Sequence, residues 1–373
     1  MKIKKNAVLF FILLAFTSCS IKNSESENVL EIINKVNNYW QNNNSYETNS
    51  FWHNAAYHTG NMEVYKVLKN EKFLSYTINW AKYNEWEGAK SNDKDKWKYS
   101  YGESDDYVLF GDFQICFQIY CDLYNIEPQG HKIARAREVM EYQMSTENKD
   151  YWWWSDGLYM VMPVMTKLYN ITENPLYLEK LYEYWEYAND IMYDEKESLY
   201  FRDSKYIYPN HKTPNGLKDF WSRGNGWVFA GFAKVLEDLP HNNIHKETYI
   251  TYYKNMAKKL AKLQLDEGYW SRSLMDPDYA AGYETSGTAF FTYGFLWGVN
   301  NGYLDKNDYK ETIDKAWNYL TEIALQENGK VGYIQPIGEN ASQHKVDAET
   351  TADFGVGAFL LAASQMYRYL EKK

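Results

Sequence analysis

The feature that most constrains this chain is an alternation between two kinds of helical segment. Apolar residues recur at helical spacing through most of its 373 residues, and alternating strand-like runs are scarce. The pattern predicts helices near 28–42, 50–68, 71–87, 109–124, 131–146, 156–170, 175–194, 224–238, 245–266, 286–301, 306–326 and 352–370. Those near 131, 175, 245 and 306 are amphipathic and charge-rich, as in "ETYITYYKNMAKKLAKLQLD". Those near 109, 156, 224, 286 and 352 are nearly uncharged and carry small residues, as in "SGTAFFTYGFLWGVNNG". A helix with one polar face lies outside, whereas one apolar all round is enclosed. Six outer helices alternating with six inner ones, at a loose period of roughly 47 to 68 residues, describe an all-α fold, an (α/α)6 barrel. An open helical solenoid shares the pairing, but its repeats are shorter and more uniform.

The first residues, "MKIKKNAVLFFILLAFTSCS", combine a basic stub with an apolar run from Ala7 to Phe16 that is short for a membrane span. The "FTS" before Cys19 resembles the lipobox of bacterial lipoproteins. The expected organisation is a lipoprotein signal peptide over 1–18, a polar tether over 19–27 beginning at a lipidated Cys19, and a single barrel domain over 28–373. Such a protein is secreted to the cell envelope, facing the periplasm or the exterior, and meets the membrane only through its lipid. Cys116 and Cys121 lie five apart on one predicted helix and point in different directions, so the fold must stand on its core rather than on a disulfide. Net charge is −10 and no basic cluster is present, which argues against nucleic acid or an anionic membrane surface as partner. Histidines at metal-ligand spacing beside a carboxylate and phosphate-cradling glycine loops are both missing from the sequence, so neither a metal nor a cofactor is expected.

In a closed barrel the turns entering the inner helices emerge on one rim. They contain "FWHNAAYH" (51–58), "FGDFQ" (110–114), "WWWSDG" (152–157), "FWSRGNGW" (220–227), "YETSGT" (283–288) and "DFGVG" (353–357), whereas the opposite turns carry ordinary loop residues. Asp156 follows three tryptophans, and burying an unpaired charge is costly. It is therefore either a helix cap or a carboxyl whose proton affinity is raised. Arg223 and Trp227 are four apart at the start of a helix and share a face. A guanidinium fork beside glycines suits a carboxylate ligand, and Trp227 or Trp221 suits a sugar face. The alternative pairs Arg223 with Asp219 and leaves the tryptophans in the core. With 18% aromatic residues the chain is rich in flat faces, many of which must be core.

These blocks carry a family resemblance. "WWWSDGLYMVMPV", "DFWSRGNGWVFAGFAKVLEDLP", "ETSGTAFFTYGFLWGVNNGYLD" and "FGVGAFLLAASQMYRYL" closely resemble the unsaturated rhamnogalacturonyl and unsaturated glucuronyl hydrolases, glycoside hydrolase families 105 and 88. The resemblance runs in order from about residue 50 to 370. It implies the same barrel and an unusual reaction: hydration of the C4=C5 double bond that a polysaccharide lyase leaves on the non-reducing uronic acid. It also implies that Asp156 is the catalytic acid/base and Asp112 the second active-site carboxylate. An ordinary Asp is protonated only about one part in a thousand at pH 7, a cost of roughly 4 kcal/mol. Burial against Trp152, Trp153 and Trp154, together with a second carboxylate, would raise its affinity. Arg223, Trp227, Trp221, Trp154 and an aromatic of the first inner helix, Trp52, are implied to hold the sugar. His53, His58 and Ser286 are weaker candidates, since each also suits a satisfied core or cap residue. Some family members carry a histidine where "LYFRDSKY" has Arg202 and Asp203. A cation there is expected to favour a sulfated or otherwise more anionic substrate.

The expected substrate is an uronyl-rhamnose oligosaccharide from a polysaccharide lyase, with ulvan as its parent polymer and rhamnogalacturonan from pectin as the runner-up. Two other readings share the barrel: an inverting glycosidase acting on saturated glycans, which needs carboxylates about 6.5–9.5 Å apart, and a glycan-binding barrel in which Asp156 is only a cap.

Overall fold

The computed structural model describes residues 25–372, so the stretch expected to be a signal peptide and Cys19 lie outside the described residues. Six inner helices form a ring: α2 (Trp52–Leu68), α4 (Gly111–Gln114) running through Ile115 into α5 (Cys116–Ile126), α7 (Ser155–Thr172), α9 (Ser222–Asp238), α11 (Thr285–Asn300) and α13 (Asp353–Glu371). Each packs against the next, and α13 closes on α2. The outer helices are α1 (residues 25–43), α3 (Glu71–Tyr83), α6 (His131–Met144), α8 (Leu176–Met192), α10 (Lys246–Leu263) and α12 (Lys306–Asn318). The architecture is the (α/α)6 barrel.

The two composition classes become the two layers for the expected reason. Every residue of α7 from Ser155 to Leu168 is buried, whereas α12 buries only Thr312, Ile313 and Ala316. Small residues let the inner axes approach. A Cβ on Gly60 of α2 would stand 2.2 Å from the Gly357 carbonyl oxygen of α13, so the ring closes backbone to backbone at that crossing. The barrel axis is filled by rings. Trp227 packs 4.2 Å from Phe290 and 4.7 Å from Tyr159, centroid to centroid, and all three are buried.

Several boundaries differ from the sequence expectation. Glu25, Ser26 and Glu27, read as tether, are helical and open α1 within the described residues. Helix α3 stops at Tyr83 because Glu85 and Trp86 adopt positive φ of 58° and 63°, which no continuing helix permits. Helix α12 ends at Asn318 and runs on as a π-helical turn, Tyr319–Ala324. A two-stranded antiparallel ribbon, β1 (Tyr193–Asp194) with β2 (Leu199–Tyr200), was not foreseen, being too short for a periodicity to show.

Candidate active site

All six inner helices start on one rim, and short backbone bridges pin three of the starts. The Ser155 N–H donates to the Arg202 carbonyl at 2.8 Å, Ser222 N–H to Arg272 at 2.8 Å, and Thr285 N–H to Tyr333 at 2.9 Å. The first of these bridges, continuing from β2, carries Arg202 to the start of α7. The rim encloses a cavity of about 590 Å³ lined by Trp52 and His53 of α2, Asp112 of α4, and Asp156 and Met160 of α7. Trp153, Trp154, Arg202 and Lys205 line it as well, together with Ile337, Gly338, Glu339 and Gln343.

Asp156 sits in the first turn of α7, buried, and accepts a 3.0 Å hydrogen bond from Ser155 Oγ. It does not cap the helix, whose N-cap position is Trp154 without a side-chain bond. Burial raises its pKa, against the pull of Arg202, Arg223 and the Ser155 hydroxyl. Asp112, also buried, accepts no side-chain hydrogen bond among the described residues. Its pKa stands well above the ordinary carboxylate value, first through burial and then through the negative charge of Asp156. The two carboxyls thus stand as a pair, each with raised proton affinity, in one cavity wall.

Of the three tryptophans, two reach the cavity. The Trp154 ring wedges between the first turns of α4 and α7, lying 3.0 Å from where a Gly111 Cβ would stand and 3.2 Å from that of Gly157. Trp153 faces the cavity with the Arg202 guanidinium 5.6 Å above its ring. Trp152 turns away, packing on Tyr184 of α8, so it does not shield the carboxyls. His53 joins two helix starts through a 2.6 Å contact between Nδ1 and Asp353 of α13. Burial pulls its pKa down, but Asp353 and Glu103 more than offset this and hold it above the usual value.

Five residues expected at the sugar lie behind the wall instead. Arg223 is fully buried, donates to the carbonyls of Gln335 at 2.5 Å and Pro336 at 3.0 Å, and is sandwiched between Trp221 and Phe354, 4.5 and 4.7 Å from their ring centroids. Nor does it pair with Asp219, which His211 and Ser273 engage. Trp221 donates its Nε1 hydrogen to Gln335. Trp227 fills the barrel axis. Ser286 donates to Glu284 within the α11 cap. His58 stacks on Trp80 at 4.1 Å and contacts Thr77, and burial drives its pKa well down, so it is a neutral core residue beside a separate, smaller cavity. In each case the residue types fit the core as well as they fit a sugar, and only three dimensions separate the two.

The sequence also missed Tyr101, Glu103, Lys205, Glu339 and Gln343 in the cavity wall. Lys205 falls in the quoted "LYFRDSKY" and was within reach, but the others lie in aperiodic connections that carry no helical signal.

The Glycosyl Hydrolase Family 88 model matches residues 21–370. The unsaturated 3S-rhamnoglycuronyl hydrolase of Formosa agariphila is 33% identical over 331 residues, covering 86% of this chain and 85% of that protein. A solved structure described as a polysaccharide lyase is 62% identical with a TM-score of 0.91, over 94% of this chain and 99% of that one. A family 88 glycosyl hydrolase from Bacteroides vulgatus is 59% identical with the same TM-score, over 92% and 99%. On sequence and fold together, the chain belongs to glycosyl hydrolase family 88 and is a glycoside hydrolase.

Proposed function

We propose that this glycoside hydrolase removes the 4,5-unsaturated uronic acid from the non-reducing end of lyase-made oligosaccharides by hydrating its C4=C5 bond. The observation that carries the reading is the coupled pair Asp112 and Asp156, two buried carboxyls with raised proton affinity on adjacent helix starts. Hydration needs a proton delivered to C4 and a water deprotonated as it attacks C5, after which the hemiketal opens and releases the aglycone. A carboxyl pair sharing one proton near neutral pH supplies both halves. A bound uronate brings another negative charge and displaces water, and both raise the proton affinity of the pair further.

The proposed substrate is an uronyl-rhamnose oligosaccharide bearing sulfate, of the kind ulvan yields. Support comes from the name of the Formosa relative and from the cations of the cavity. Arg202 is engaged by Asp203 and by Glu339 at 4.0 Å. Lys205 is exposed in the cavity wall and makes no ion pair among the described residues, which makes it the better sulfate contact. We further propose that Cys19 carries a lipid, tested by asking whether Cys19→Ala moves the protein from the detergent phase to the aqueous phase.

The conjugated C4=C5 bond absorbs in the ultraviolet, and digests of ulvan, rhamnogalacturonan and glycosaminoglycans test the reading in one panel. Loss of absorbance on the ulvan digest is the expected result. The neighbour described as a lyase makes the opposite outcome informative, because elimination from an intact polymer would raise absorbance and overturn the proposal.

A further inference from the structure

We propose that Gln335 is a positioning residue that holds segment 336–343 in place as part of the wall of the substrate cavity, an inference that rests on the hydrolase reading above. Gln335 is fully buried, yet it belongs to no helix. Its Nε2 donates to the carbonyls of Asn340 at 2.8 Å, Gln343 at 3.0 Å and Ala341 at 3.4 Å, so one amide gathers the far end of the segment. Its Oε1 accepts from Trp221 Nε1 at 2.9 Å, which orients the amide and fixes which end donates. Its backbone carbonyl and that of Pro336 accept from the two arms of Arg223, a bidentate grip on the near end. Arg272 Nη1 holds the His344 carbonyl at 3.1 Å just beyond. The exposed product of this lattice is Ile337, Gly338, Glu339 and Gln343 in the cavity wall.

Arg223 and Trp221 of the "WSRGNGW" block are thus spent on the loop, on two backbone carbonyls and on the Gln335 amide, not on the sugar. A guanidinium fork recognises two carbonyl oxygens as readily as one carboxylate, so the same residue types serve either task. Arg223 has a second effect. Its buried charge is one of the groups holding Asp156 down, whereas Gln335 is neutral and does not touch either carboxyl. The two variants therefore separate shape from electrostatics.

The test uses the full chain. Gln335→Met keeps the side-chain volume and the neutrality but removes the donor that faces three carbonyls. Amide exchange followed by mass spectrometry on the free protein should quicken about tenfold or more across 336–344 while α2 and α7 are unchanged. On the unsaturated oligosaccharide, KM should rise about tenfold with kcat altered less than about twofold and the pH profile unmoved. Arg223→Lys, which keeps the charge but can reach only one carbonyl, should reproduce the exchange and KM changes. Arg223→Met should add a shift of the pH profile to higher pH. Unchanged exchange across 336–344 in Gln335→Met would overturn the proposal, as would an altered pH profile with KM intact. If the unmodified protein turns over no unsaturated oligosaccharide, the hydrolase reading fails, whereas the exchange measurement still decides whether Gln335 holds the segment.

Discussion

Asp112 carries a raised proton affinity that the fold must tolerate at neutral pH. Its native pKa lies above the unfolded value, so the native state keeps a proton that the unfolded chain releases. Stability from this group is fully present below the unfolded pKa and falls as pH rises toward the native one. Asp112→Asn is therefore expected to raise the melting temperature at pH 7 and leave it nearly unchanged at pH 3, while lowering turnover. Asp156→Asn should keep the fold by circular dichroism and lower kcat by about 10²–10⁴-fold, the usual worth of a positioned acid or base. Arg202 lowers both carboxyls, so Arg202→Met should move the limb that reports the protonated acid to higher pH. Asp156 stood out in the sequence because an aromatic run at a helix start says what happens to a charge there, whereas Asp112 came from the family resemblance, with Asp105 and Asp106 as rivals nearby; the structure places Asp112 and Asp156 in one cavity wall. The partner of Arg223 was not legible, since a fork beside glycines fits a sugar acid and a loop backbone alike.

At the scale of elements, the start of α9 abuts the start of α7. A Cβ at Gly224 would stand 2.9 Å from Ser155 Oγ and 3.7 Å from Asp156 Oδ1. Alanine is the better helix former by about 1 kcal/mol, and the crowded hydroxyl can rotate away, so Gly224→Ala should leave the melting temperature within a few degrees. The rotation removes the hydrogen bond that steadies ionised Asp156, so the pH profile should move upward and kcat should fall about tenfold or less. A large loss of stability with an unmoved profile would contradict this account of the junction. The helices themselves were readable because each inner one is apolar all round and each outer one is not. What escaped were the elements without a period: the β1–β2 ribbon, the π-helical turn after α12, and the connection from 327 to 352 that supplies the cavity wall. Their course is set by individual side chains such as Gln335, and an isolated glutamine gives no pattern to read.

For the whole molecule, the barrel has two unlike mouths. At the rim, six helix N-termini converge, and their dipoles offer positive potential to an acidic sugar despite a net charge of −10. At the far mouth, carboxylates sit close to helix C-termini, where dipoles oppose them, and buried cations answer them. Lys167 lies 2.7 Å from Asp122 and 3.3 Å from Asp238, while Glu63 is held by Lys66 at 2.5 Å and Arg368 at 3.1 Å. Lys167→Met removes the cation from Asp238 and leaves Asp122 only Lys66 at 3.9 Å, and should cost about 3–5 kcal/mol in urea unfolding, with kcat per folded molecule unchanged. Between the mouths, the packed and buried rings of Trp227, Tyr159 and Phe290 fill the axis among the described residues. A cavity stoppered in this way has one door. A polymer cannot thread through it, so only a chain terminus can be trimmed, and the freed monosaccharide must back out before the next terminus enters, which makes the enzyme's own product its nearest competitor.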